Sequence, residues 1–105
     1  MLIINIAKDF SPTPGARFRT DGPYSGQEFR ETFLEQLFSN PSKTEKIQII
    51  LDGSEGYATS FLEEAFGGLA RKYGKDVCIK RFEFVSNEEA GLIDEIREYI
   101  EDVEK

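Results

Sequence analysis

The sequence has no histidine and no tryptophan, and only one cysteine. Without histidine the chain lacks the side chain that most often serves as a general base near neutral pH and as a metal ligand. Catalysis would have to run on carboxylates, hydroxyls or basic side chains. A lone cysteine cannot close an internal disulfide, and Cys78, set in the apolar run Val77-Cys78-Ile79, reads as a small buried hydrophobe in a reducing compartment. Low-pKa reactive thiols need basic or helix-terminal surroundings, which favours an inert role for Cys78. No apolar stretch is long enough to span a bilayer. The opening Met1-Leu2-Ile3-Ile4-Asn5-Ile6 lacks a basic lead and reaches Lys8-Asp9 too soon for a signal peptide. A cytoplasmic location is the expectation. Basic charge is also scarce: 13 Lys and Arg against 20 Asp and Glu give a net charge of −7. Such a field repels nucleic acid and anionic membrane surfaces, so neither is an expected partner.

At 105 residues the chain suits one domain, 1–105, large enough to fold without metal or disulfide. Residues 2–7 are apolar and β-branched and predict a first strand, closed by the turn formers Asp9, Ser11, Pro12, Pro14 and Gly15. Arg17-Phe18-Arg19-Thr20 alternates briefly and predicts a short edge strand, antiparallel to the first. Ser25-Gly26-Gln27-Glu28 has the S-x-x-E spacing of a capping box, and Phe29, Phe33, Leu34, Leu37 and Phe38 follow at helical spacing as far as Asn40-Pro41. The run Ile47-Gln48-Ile49-Ile50-Leu51 predicts a central strand covered on both faces.

A second capping box, Ser60-Phe61-Leu62-Glu63, opens a helix whose apolar face is Phe61, Leu62, Ala65, Phe66, Leu69, Ala70 and Tyr73, with Gly74 at its end. Gly67 and Gly68 inside it each cost about 1 kcal/mol relative to alanine, which predicts a packing reason, such as a close approach to the sheet. Residues 77–85 predict a further strand whose alternation slips near Lys80-Arg81, as at a bulge or an edge. Ser86-Asn87-Glu88-Glu89 forms a third capping box before a closing helix through Leu92, Ile93, Ile96, Ile100 and Val103. The expected fold is α/β, a mixed four-stranded sheet with about three helices packed on it.

The most informative stretch runs from Leu51-Asp52-Gly53 through Tyr57-Ala58-Thr59-Ser60-Phe61 to Gly67-Gly68-Leu69. It delivers a pair of hydroxyls from a buried strand to the start of a long helix. This layout resembles the centre of STAS domains, the anti-sigma-factor antagonist fold. Together with Pro14-Gly15-Ala16-Arg17-Phe18-Arg19-Thr20-Asp21-Gly22-Pro23-Tyr24-Ser25-Gly26, it is similar to a bacterial STAS-like family of uncharacterised function. The resemblance implies a regulatory protein-binding module, with a histidine-kinase-like ATPase as partner and a serine at this helix start as phosphoacceptor. It places Ser60, with Thr59 as the lesser alternative, at the phosphoacceptor position, and Tyr57, Phe61, Glu63 and Glu64 on the docking surface. STAS phosphoswitches typically show Asp-Ser-Ser-Gly at this turn, whereas Ala58 and Phe61 flank the hydroxyls here.

The residues themselves leave two readings of Ser60 open. A helix start presents unpaired amides and partial positive charge that welcome a phosphoryl group, whereas Glu55, Glu63 and Glu64 would repel one. The other reading makes Ser60 only an N-cap, worth about 1 kcal/mol. A rival site lies at 12–26, where Arg17, Arg19 and the capped helix start at Ser25 suit a small anion or nucleotide, although no P-loop is present. Adjacent acidic pairs such as Glu63-Glu64, Glu88-Glu89 and Asp94-Glu95 point about 100° apart on a helix and read as solvated faces. Asp52, at the end of the central strand, is the best single carboxylate for an enzyme. No base or metal set accompanies it, so the sequence reads as a binding module, not an enzyme, with no cofactor.

Overall fold

The computed structural model describes residues 1–103. Three parallel strands, β1 (Leu2–Asn5), β2 (Ile47–Ile50) and β3 (Phe82–Val85), lie in the order β1-β2-β3. Their register places Ile4 opposite Ile49 and Ile49 opposite Phe84. Parallel neighbours need long crossovers, and each crossover here is helical. A helix over 26–38 joins β1 to β2, and a helix over 59–73 followed by Lys75–Arg81 joins β2 to β3. Crossovers between parallel strands are right-handed as a rule, and in an order that never reverses this puts the helices on one face of the sheet. Burial agrees: Ile4, Ile47, Ile49, Leu51 and Phe82 on that face are buried, while Ile3 on the other is 61% exposed. The closing helix, Gly91–Glu101, packs against the middle of the 59–73 helix.

The sheet is therefore parallel and three-stranded, not mixed and four-stranded, and the helical segments outnumber the three expected. The predicted edge strand at 17–20 is absent because its backbone serves a helix start. Gly26 N donates to Ala16 O at 2.8 Å and Gln27 N donates to Arg17 O at 3.0 Å, after which the chain turns tightly at Arg19–Asp21. The phase slip near Lys80-Arg81 marks the junction of a helix with a strand. Lys75–Arg81 is helical and turns Cys78 and Arg81 inward, three residues apart, before β3 begins at Phe82. Cys78 is free and buried, and burial pushes its thiol up to about 12, consistent with an inert side chain.

Aromatic rings knit the helices to the sheet. Phe29, Phe61 and Phe66 are fully buried. Phe66 meets Phe82 and Phe84 edge to face, each at 5.5 Å, and Phe10 meets Phe29 at 5.2 Å. Gly26 permits a close approach of the two crossover helices, since a Cβ there would stand 2.5 Å from Phe61 O. Both crossover helices widen to i→i+5 bonding in their middles, over Arg30–Leu34 and Glu63–Gly67. No helix among the described residues is long and apolar enough to cross a membrane.

Candidate functional site

The loops that leave β2 and β3 are clasped together at the C-terminal end of the sheet. Asp52 Oδ1 accepts from the backbone N–H groups of Asn87 (2.8 Å) and Glu88 (2.9 Å), and Oδ2 accepts from Asn87 Nδ2 (3.0 Å). Glu88 returns the contact by accepting from Gly53 N at 3.0 Å. Three donors on one carboxylate account for Asp52 as a structural clamp. The same contacts occupy 87–88, so Ser86 caps no helix. Its hydroxyl donates to Glu89 O at 2.6 Å and the closing helix starts later, at Gly91.

Above this clasp the chain turns through Gly53 (φ +92°) and Gly56 (φ +148°), conformations that favour glycine. Tyr57 anchors the turn: its hydroxyl donates to Leu51 O at 2.8 Å and its ring lies 6.2 Å from that of Phe61. Burial pushes the Tyr57 hydroxyl up to about 12, so it remains a donor at neutral pH. Beneath the turn lies a concavity of about 430 Å³ lined by Glu55, Tyr57, Ser86, Glu88, Glu89 and Leu92. Its charged lining is entirely acidic.

Thr59 and Ser60 open the 59–73 helix at the rim of this end of the sheet. The N-cap is Ala58, in extended backbone, and no side chain caps the turn. Phe61 N and Leu62 N both donate to Ala58 O, at 3.0 and 3.2 Å, which leaves the Thr59 and Ser60 amides as the helix donors without an intrahelical partner. Ser60 is thus the second helical residue and not the N-cap, and the second capping box does not form. The reason lies in Glu63, whose carboxylate is drawn away to Arg17 Nη1 (2.5 Å) and Arg71 Nη1 (2.6 Å). At Ser25 the same sequence spacing does cap: Ser25 Oγ accepts from Glu28 N at 3.0 Å, while Glu28 accepts from Tyr24 N at 3.2 Å.

Two of the residues expected on a docking surface lie inside the molecule. Phe61 is 0% exposed and Glu64 is 7% exposed. Glu64 pairs with Arg30, which also donates to Glu64 O (3.1 Å) and to Glu35 Oε2 (2.9 Å). Lys72 Nζ completes the chain on Glu35 at 2.5 Å. Burial opposes the Arg30 charge, but Glu64 and Glu35 outweigh it and its pKa rises. For Glu35 burial likewise pushes up, and Lys72 and Arg30 win and lower it. Glu63 is held below its ordinary value chiefly by Arg71, then by Arg17 against the opposing effect of burial. The two glycines face this network and not the sheet: a Cβ on Gly68 would stand 2.5 Å from Arg30 Nη1, and one on Gly67 would stand 2.6 Å from Glu63 Oε2.

The anion site expected around Arg17, Arg19 and Ser25 is not assembled. Arg17 is committed to Glu63, Arg19 Nε to Glu31 Oε1 at 3.0 Å, and Ser25 is fully buried as a cap. The residues that sequence reasoning missed are Arg30, Glu35 and Arg71. Arg30 and Glu64 carried a signal, because each interrupts the apolar stripe of its helix, Arg30 beside Phe29 and Phe33, Glu64 between Phe61 and Ala65. Among the described residues no group of three or more His, Cys, Asp or Glu is placed to hold a metal ion.

A short parallel sheet with helices on one face, and an uncapped hydroxyl pair where the central strand hands over to its helix, make a small α/β module. The chain belongs to the family described as a STAS-like domain of unknown function (DUF4325), whose model matches residues 25–92. The match runs from the capping Ser25 to Leu92 in the wall of the acidic concavity, and so takes in the clasp, the turn and the hydroxyl pair. No curated protein and no solved structure matches the chain.

Proposed function

We infer that the domain is a regulatory protein-binding module of the anti-sigma-factor-antagonist kind, which docks through the 54–60 turn and the acidic concavity beneath it and catalyses no reaction itself. The observation that carries this reading is the uncapped start of the 59–73 helix, where exposed Thr59 and half-buried Ser60 stand beside unclaimed amides. The acid expected to repel a phosphoryl group there is largely neutralised, since Glu63 and Glu64 are held by Arg17, Arg71 and Arg30. A phosphoryl group transferred from ATP to Ser60 Oγ would meet aligned N–H donors on the protein side and add negative charge on the partner side. The partner fitting this surface presents Lys or Arg toward Glu55, Glu88 and Glu89, and the resemblance to anti-sigma-factor antagonists makes a histidine-kinase-like ATPase the candidate.

The test is incubation with ATP and such an ATPase, followed by intact mass and peptide mapping. A gain of one phosphate on Ser60, lost in Ser60→Ala, supports the switch, and a gain on Thr59 moves it by one residue. Complex formation without modification, weakened by Glu55→Lys with Glu89→Lys, leaves a constitutive binding module. Binding untouched by those reversals overturns the proposed surface.

A further inference from the structure

The opposite end of the sheet carries a second concavity, of about 460 Å³, where the 26–38 helix runs into β2 and Lys75–Arg81 runs into β3. Its apolar walls include Phe38, Tyr73 and Val77, the last 47% exposed. Its charged lining is Lys43, Lys80 and Arg81, with no carboxylate in a chain of net charge −7. The arginines around the central ion network are all matched: Arg17, Arg19, Arg30 and Arg71 each lie within ion-pair distance of a glutamate. Among the described residues Lys43, Lys80 and Arg81 make no such pair. Arg81 is the most telling of the three. It is 5% exposed, and its charge is met only by backbone carbonyls, Nε to Glu45 O at 3.0 Å and Nη1 to Leu37 O at 2.5 Å, with the Phe38 ring 4.6 Å below the guanidinium. Buried charge is normally matched by a counter-charge, and a guanidinium with donors to spare suits a carboxylate, sulfonate or phosphate.

We propose that this concavity is a binding site for an amphiphilic organic anion, a molecule with one ring system or short alkyl body and one acidic head. The body lies on Phe38, Tyr73 and Val77 and the head meets Lys43, Lys80 and the remaining donors of Arg81. The volume falls in the range of small-molecule sites, and an apolar wall with a few convergent charged groups is their usual make-up. The site is at the far end of the strands from the 54–60 turn, so it stands independently of the protein-docking reading.

The test uses two probes of the same ring system, 8-anilinonaphthalene-1-sulfonate and the uncharged N-phenyl-1-naphthylamine, titrated by fluorescence against wild type and against the Lys43→Glu, Lys80→Glu double variant. Both lysines are exposed, and far-UV circular dichroism verifies that the double variant is folded. The expected result is tighter binding of the sulfonate than of the amine by wild type, and at least a tenfold loss of sulfonate affinity in the variant with less than a twofold change for the amine. Amide NMR shifts on adding the sulfonate should map to Tyr73, Val77 and Lys80. Equal affinity for the two probes, unchanged sulfonate binding in the folded variant, shifts elsewhere, or no binding of the sulfonate would each overturn the proposal.

Discussion

Two charges, Arg30 and Glu64, occupy positions that helical periodicity assigns to the apolar faces of their helices, and each tolerates burial because the other is there. Removing one leaves its partner desolvated, which for buried pairs costs about 3–5 kcal/mol. Glu35 remains beside Arg30 and softens the loss, so Glu64→Ala is expected to cost about 3 kcal/mol in urea denaturation. Replacing both by apolar residues of similar volume should recover much of it. Gly26→Ala is a sharper test of packing. The added methyl would meet Phe61 O, a backbone atom that cannot swing aside, at 2.5 Å, so the two crossover helices must separate and the loss should exceed the roughly 0.5–2 kcal/mol of a lost cap. The two serines that share S-x-x-E spacing should part company. Ser25→Ala gives up a buried cap and should cost about 1 kcal/mol, whereas Ser60→Ala should stay within about 0.5 kcal/mol. Equal costs in thermal or urea melts would restore the N-cap reading of Ser60.

At the scale of elements, the helices around Phe29, Phe66 and Ile96 were legible because a 3.6-residue apolar stripe survives any tertiary arrangement. Their starts were less so. Spacing shows that a serine and a glutamate can reach one another, but not that the glutamate will be free, and at Glu63 two arginines compete successfully, Arg17 from a distant segment and Arg71 from two turns along the same helix. Residues 75–81 misled for a related reason: Val77, Cys78 and Ile79 have strand-like composition, yet Gly74 at φ +101° reverses the chain and the next turn is helical. The ion network itself predicts a pH dependence. The folded pKa of Glu63 and of Glu35 lies below the ordinary 4.5, so their contribution is complete above that value and is lost as pH falls through the lowered folded pKa. Wild type should therefore exceed Glu63→Gln by about 1 kcal/mol at pH 7 and converge with it in acid, once pH has fallen through the lowered folded pKa of Glu63. A gap that persists in acid would assign the effect of Glu63 to packing and not to charge.

At the scale of the whole molecule, the run 47–51 predicts a strand covered on both faces, and only half of that holds. β2 is central, and Ile47, Ile49 and Leu51 are buried under the helices. The other face presents Ile3, Asn5, Gln48, Ile50, Glu83 and Val85, with Gln48 Nε2 donating to Glu83 Oε1 at 2.9 Å across it and no helix among the described residues placed over it by the crossovers. A continuous apolar run cannot distinguish two covered faces from one covered and one partly shielded by neighbouring side chains, which is why sequence alone placed helices on a sheet without saying how many layers result. The layer count has a direct test on adjacent residues of β1. Ile3→Lys puts a charge on the open face, where the side chain is already 61% exposed, and is expected to shift stability by no more than about 0.5 kcal/mol. Ile4→Lys, one residue on and 8% exposed, forces an unpaired ammonium beneath the helices and should unfold the domain or cost several kcal/mol. Urea denaturation of both variants at two protein concentrations separates the possibilities. A small, concentration-independent effect for Ile3→Lys establishes the two-layer monomeric fold. A large effect that grows with concentration would show that a second chain covers this face in solution, and the open sheet would then be an interface.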